Sequence, residues 1–466
     1  MKTFQFVTAI RNVASNSPSI LIFGLFLSLL IVLGGSSRLD IVNQGVLQVA
    51  SFAIIAFFML QHKSGNAVRS PIVALLLVSM SLLFTVQLVP LPPFLWQNLP
   101  GRSMFATTDA ALQITTWRPL SIFPDATFSS ALGLSPLVAV YLILTRTGAS
   151  QWMKWNNLLI LLIFVSLGLG LLQMLSVGKA LYFYKISNFG SAVGFFANRN
   201  HQATMISLLP LLVTACCVVR REKTKNSLGP IAMIVGAFVL TAVSIFLSGS
   251  RIGLVLLGIV SIFSILLLFS FIPANKKVPD LYSRKRLILT ITALIGLTIA
   301  AASVVGMNSQ GNATSLDRVG AMELLNETRF KVLPTVIEVG WRYFPAGAGF
   351  GTFDRAYRIQ EPFDLLSLAY LNHAHNDLAE ILIEGGLPGL LILFSFLALF
   401  TRRGWDLWKG GRQRVDERSV LARTGWLVLL VILTAALFDY ALRTTAIATV
   451  AIIAACWAFP AQNTRV

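Results

Sequence analysis

The sequence predicts an all-α integral membrane protein of about twelve transmembrane helices, with a large periplasmic loop that contains short helices. Three observations carry that expectation. Of the 466 residues, 56% are hydrophobic and only 12% are charged, a balance that would aggregate in water. Apolar runs of roughly 20 residues, the length that crosses about 30 Å of hydrocarbon, recur from end to end. The basic residues gather in alternate inter-run segments, as the positive-inside tendency requires of a multi-pass chain. Barrel strands would be shorter and alternating, so helices are implied.

Read in order, the apolar runs place spans near 19 to 37, 43 to 61, 71 to 90, 129 to 146, 157 to 176, 201 to 219, 229 to 248, 252 to 272, 287 to 307, 378 to 400, 421 to 440 and 445 to 460. The first run has no small-residue cleavage site after it and reads as an uncleaved span. Residues 1–307 thus carry spans one to nine, with outer loops at 91–128 and 177–200. Residues 308–377 form the large periplasmic loop, and residues 378–466 carry spans ten to twelve. An even number of spans sets both termini on one face. That face holds 23 of the 37 basic and 5 of the 19 acidic residues, including the run Arg220, Arg221, Lys223, Lys225, and the opposite face holds 14 of each. The net charge of +18 is therefore a topogenic signal that puts both termini in the cytoplasm, and it implies no nucleic-acid partner. Cys216, Cys217 and Cys456 sit inside apolar runs, where thiols act as small hydrophobes.

Ionisable groups at membrane depth are costly, so those at outer helix ends are the first candidates for function. Four segments stand out: Asn198-Arg199-Asn200-His201, Ser248-Gly-Ser250-Arg251-Ile-Gly253, Arg329 with the later Gly347-Ala-Gly349-Phe-Gly351, and Asn372-His373-Ala-His375-Asn376-Asp377 with Glu380 and Glu384. A planar, permanently charged guanidinium at Arg251 suits capture of phosphate oxygens; the alternative is an interfacial arginine reaching for lipid headgroups. The glycines at 347, 349 and 351 open no helix after a strand, and turn formation explains them better than dinucleotide binding. Histidine, with an ordinary pKa of about 6.5, can take a proton at neutral pH, which makes His375 the candidate for proton transfer. A polar cap from Asn372 or Asn376 is the alternative use of that motif. His373, His375 and Asp377 could also hold a metal, but no further His or Cys outside the membrane completes such a site. His201 and His62 lack comparable company.

In order and topology these four segments resemble the O-antigen ligase and O-antigen polymerase superfamily of membrane glycosyltransferases, with the tightest correspondence from about 190 to 400. The His375-Asn376 motif followed after nine residues by Gly386-Leu-Pro-Gly389 is similar to the ligase-like spacing. The resemblance implies a bacterial inner-membrane enzyme that needs neither metal nor cofactor. Its donor would be an undecaprenyl-diphosphate-linked glycan, and its acceptor a second glycan or the lipid A core. Transfer would invert the anomeric centre, with membrane lipids around the polyprenyl tail. It further implies that Arg251 and Arg329 stabilise the departing diphosphate, with Arg199 and Arg38 as weaker candidates. His375 would act as base or diphosphate ligand, Asn376 would orient it, and Asp377 and Glu384 would be acceptor-site or structural acids. The segment from Trp117 to Asp125 resembles polymerases more than ligases. A twelve-span transporter is the rival reading, with substrate polarity near the bilayer midplane, but no matched pair of broken helices supports it.

Overall fold

A computed structural model describes residues 18–38, 41–60, 70–176, 178–223, 228–271, 296, 328–366, 371–410 and 415–461. The span expected near 287 to 307, apart from Gly296, and the first part of the large loop, 308–327, lie outside the described residues. In chain order the helices are α1 (Pro18–Leu33), α2 (Val42–Leu60), α3 (Pro71–Leu88), α4 (Pro93–Trp96), α5 (Ser103–Ala111), α6 (Pro124–Leu132), α7 (Ser135–Thr147), α8 (Trp152–Leu175), α9 (Arg199–Ser207), α10 (Leu209–Lys223), α11 (Leu228–Ser248) and α12 (Arg251–Ser270). They continue with α13 (Thr328–Tyr343), α14 (Phe353–Arg358), α15 (Asp377–Trp408), α16 (Glu417–Ala436) and α17 (Thr445–Ala458). One minimal antiparallel pair, β1 (Pro90–Leu91) with β2 (Arg118–Pro119), closes the segment between them.

Among the described residues nine helical stretches are long and apolar enough to cross a membrane, and Ile20–Leu33 and Thr445–Ala458 are shorter apolar helices. The stretch Arg199–Arg220, formed by α9 and α10, runs through the middle. All of its apolar window is buried, against 22% for Val42–Leu60 and 28% for Pro71–Leu88. It packs on α8, α11, α12 and α16. Gly253 makes the α9–α12 contact possible, because a Cβ there would lie 2.9 Å from Ala203 and 2.8 Å from Ile245. The outlying helices turn Leu21, Leu25, Val49, Leu75 and Leu82 outward, as a lipid-facing surface requires. A second apolar cluster, with Val336, Tyr343, Phe353, Tyr357 and Ile383, packs α13 and α14 onto the outer end of α15.

Two of the expected boundaries that move do so for a reason that bears on the site. The first span ends at Leu33 instead of 37, because Gly34 and Gly35 leave the helix as extended chain. Gly34 O accepts from Ala446 N at 2.9 Å, and Gly35 N donates to the Tyr184 hydroxyl at 2.9 Å. The eleventh expected span, α16, ends at Ala436 instead of 440, and the residues released form a turn that carries Asp439.

The Gly385-Gly386-Leu-Pro388 stretch kinks α15, with Gly386 at φ 54°. Pro388 has no N–H, and the Leu387 amide turns away to Pro345 O at 2.9 Å, so the carbonyls of Ile383 and Glu384 lose their helical partners. The glycine-rich ribbon 347–351 supplies replacements: Ala348 N donates to Ile383 O at 2.7 Å and Gly349 N to Glu384 O at 3.0 Å. Gln87 on α3 adds a bond to Glu384 O at 2.9 Å. Gly347 must be glycine, since it sits at φ 81° and a Cβ would lie 2.6 Å from Glu384 O. The two glycine motifs are thus two halves of one joint, which fixes the outer end of α15.

Candidate active site at the outer helix ends

Three helices begin with a polar cap that satisfies an orphan amide. The Asn198 side chain accepts from Asn200 N, Ser250 from Gly253 N at 3.2 Å, and Asn376 from Ala379 N at 3.1 Å. The caps are linked to one another. Ser250 Oγ donates to Asn200 Oδ1 at 2.9 Å, Asn200 Nδ2 donates to Asp439 Oδ2 at 2.8 Å, and Asp439 Oδ1 lies 3.1 Å from His375 Nδ1. Asp439 belongs to the polar turn after α16 and is buried. Burial alone would push its carboxyl up, but the His375 hydrogen bond, the charges of His201 and His375 and the Asn200 amide outweigh it and hold the group below the usual carboxylate range. An ionised carboxylate only accepts, so Nδ1 of His375 carries the proton and Nε2 is left as the acceptor. His375 also sits at φ 51°, a left-handed conformation costly for a residue with a Cβ, as found where a side chain is aimed by its surroundings.

A second polar cluster lies beside the first. Arg443, in the same turn as Asp439, reaches three carboxylates of α15: Asp377 at 3.3 Å, Glu380 at 3.4 Å and Glu384 at 2.9 Å. Glu384 also accepts from Phe353 N at 3.1 Å, and Glu380 accepts from Ala374 N at 3.1 Å. His373 Nδ1 is 2.8 Å from Glu380 Oε1. Burial disfavours its imidazolium, yet the Glu380 charge and hydrogen bond more than offset this and hold His373 above its ordinary value. The ring of Tyr440 joins the clusters, with centroids 4.4 Å from His373, 4.8 Å from His375 and 4.9 Å from His201. A cavity of about 560 Å³ opens on the second cluster, lined by Arg38, His373, Asp377, Glu380, Glu384 and Arg443 together with Phe84, Phe350 and Phe353.

The sequence-selected residues fall into distinct places. His375 stands in the first cluster, whereas Asp377 and Glu384 stand in the second and Arg38 lines its cavity. Arg199 and Arg251 begin α9 and α12, each adjacent in the chain to a member of the bonded pair Asn200–Ser250. Arg329 lies in the first turn of α13, and its side chain is outside the described residues. One expectation is corrected: the group that orients His375 is Asp439, while Asn376 caps α15 and donates to Leu437 O at 3.1 Å. His201 has company after all, with Asp439 Oδ1 3.9 Å from its Nε2. Sequence reasoning missed Asp439, Tyr440 and Arg443 because the eleventh span was drawn through residue 440. The signal was the polar interruption Asp439-Tyr-Ala-Leu-Arg443-Thr-Thr between two apolar runs. Among the described residues, no group of three or more His, Cys, Asp or Glu is arranged to hold a metal ion.

No curated protein matches the chain. Residues 236–394 match the family model described as O-antigen ligase, a stretch that runs from α11 into α15 and contains Arg251, His373, His375, Glu380 and Glu384. Over that stretch the chain is similar to the O-antigen ligase family, which supports the resemblance to the O-antigen ligase and O-antigen polymerase superfamily.

Proposed function

We propose that the protein is an inverting glycosyltransferase working at the periplasmic face of the bacterial inner membrane, with both termini in the cytoplasm. It takes an undecaprenyl-diphosphate-linked oligosaccharide as donor and a second lipid-linked repeat as acceptor, and so polymerises a surface polysaccharide. His375 Nε2 takes the proton of the acceptor hydroxyl. The oxygen attacks the anomeric carbon of the donor's reducing-end sugar from the face opposite the diphosphate, the carbon–oxygen bond to the diphosphate breaks, and the lipid diphosphate leaves with the electron pair. Arg251, Arg329 and Arg199 neutralise the charge that develops there, helped by the positive ends of α9 and α12.

The observation that carries this reading is the continuous chain Ser250–Asn200–Asp439–His375. It gives the histidine a buried anionic partner and ties it to the starts of the two helices that bear the arginines. A polymerase rather than a ligase is supported by the resemblance at Trp117 to Asp125, a segment built into the same region. Ile122 N donates to Ala348 O at 2.9 Å, and Asp125 lines the cavity.

Complementation of a deletion strain tests the proposal, comparing wild type with His375→Ala and Arg251→Ala on gels that resolve lipid A core from free polymer. Loss of long chains with one repeat still on the core is the expected result. Loss of all glycan from the core, with lipid-linked polymer accumulating, would make the enzyme a ligase. Wild-type behaviour of both variants would defeat the transfer mechanism. As a base, His375 must enter the reaction deprotonated, so transfer by the purified enzyme falls as pH drops; a diphosphate-binding imidazolium would give the opposite trend.

A further inference from the structure

The cavity beside Arg443 is poorly suited to the diphosphate and well suited to a sugar. Two of its three arginines are held by carboxylates: Arg443 is shared among Asp377, Glu380 and Glu384, and Arg355 is held by both oxygens of Asp125 at 2.9 and 2.8 Å, with Arg38 the third arginine of the lining. A phosphate arriving there would face five acidic side chains, Asp125, Asp354, Asp377, Glu380 and Glu384. By contrast, Asp377 keeps one oxygen, Oδ2, that is buried and has no hydrogen-bond partner, while Oδ1 takes Arg443. Asp377 is 7% exposed and lines the cavity, and its Oδ2, itself out of contact with solvent, is a buried acceptor without a donor. Asn372, Ser129, Ser130 and Thr444 add neutral polar groups to the lining, and Phe84, Phe350 and Phe353 add aromatic rings. A carboxylate acceptor, neutral hydroxyls and aromatic faces together match a pyranose, which offers O–H donors at its edge and C–H bonds on its faces. The volume of about 560 Å³ lies within the roughly 300–1,000 Å³ of small-ligand sites and suits a short oligosaccharide segment.

We infer that this cavity is a binding subsite for a neutral hydroxylated sugar, held by a sugar hydroxyl donating to the Asp377 carboxylate, and separate from the diphosphate end at Arg199 and Arg251. That the sugar belongs to the acceptor glycan rests on the transfer reading above; that a sugar binds there does not.

Saturation-transfer NMR on the full-length protein in nanodiscs tests it, with methyl glycosides of glucose, galactose, mannose and N-acetylglucosamine as probes and inorganic pyrophosphate as competitor. The expected result is binding of at least one glycoside that pyrophosphate does not displace. Asp377→Asn weakens it tenfold or more, because an amide whose oxygen serves Arg443 turns a donor toward the cavity. Ala448→Trp, which fills the cavity from α17 without altering a charge, abolishes it. Absence of binding by all four glycosides, wild-type binding by both variants, or displacement by pyrophosphate would overturn the inference. A protein that binds the glycosides but transfers nothing would refute the proposed reaction and leave this subsite standing.

Discussion

Two polar clusters meet at Tyr440, and they differ in what their charges are for. In the His375 cluster a single buried carboxylate, Asp439, serves a ring that remains partly exposed, the side chain being 25% accessible. In the Arg443 cluster three carboxylates, an arginine and a histidine are spent mostly on each other, and Glu384 also holds the backbone of Phe353. The first arrangement leaves a nitrogen to act on a substrate; the second ties α15 to the last outer turn. On the proposed reading the larger concentration of charge is the structural one, and the chemistry sits where a buried carboxylate holds a ring that still faces outward.

Arg443→Met gives the largest expected effect, because it leaves three buried carboxylates without their cation. Breaking a buried ion pair from one side costs about 3–5 kcal/mol, enough to remove most folded protein from the membrane. Thermal unfolding in detergent and the amount recovered by size exclusion would show it. If Arg443→Met accumulated and unfolded like wild type while losing transfer, the cluster would be catalytic and the contrast drawn above would fail.

Asp439→Asn should do the reverse. An amide of the same shape still reaches Asn200 and His375, so the fold survives, but it no longer fixes which ring nitrogen carries the proton. Transfer should fall roughly 10²–10³-fold with little change in acceptor KM, a loss confined to the transition state. Steady-state kinetics on purified protein separate the cases. A fall in the amount of folded protein matching the loss of transfer would assign Asp439 to the scaffold instead.

The two clusters were unequally legible in the sequence for a physical reason. Lipid forces helices to be long and apolar, so nearly every span could be read from its run, and caps such as Ser250 and Asn376 stood out as polar letters before apolar ones. His375 was conspicuous among polar neighbours. Its partner was not: Asp439 lies 64 residues further on, and one acid beside a long apolar run reads as an ordinary turn. Arg443 was invisible as a keystone, because its role depends on three carboxylates brought together only when α15 and α17 pack. The glycine ribbon reads as turn-forming from sequence, but its reason, two carbonyls freed where Leu387 and Pro388 break α15, exists only in the fold.

The smallest expected effect concerns His373 and sharpens the comparison through pH. The groups facing its ring are Glu380 and Glu384 from α15 and Arg443 and Tyr440 from the outer turn, with the carboxylates prevailing over both burial and the arginine. A histidine held above its ordinary value of 6.5 stabilises the folded state in its protonated form. That contribution is complete below 6.5, declines as pH rises above it, and is gone once pH passes the raised folded value. Asp439 has the opposite sign: its contribution is present above the ordinary carboxylate value of 3.8 and is lost only as pH falls below that, so it stays constant through the neutral range. Wild type should therefore lose stability between pH 6 and pH 9 by about 1.5–3 kcal/mol more than His373→Gln, the scale of one hydrogen bond to a charged group. Melting temperatures of the two proteins across that range make the test. Parallel curves would mean that His373 is neutral in the fold, and that Arg443 alone balances the acids of α15.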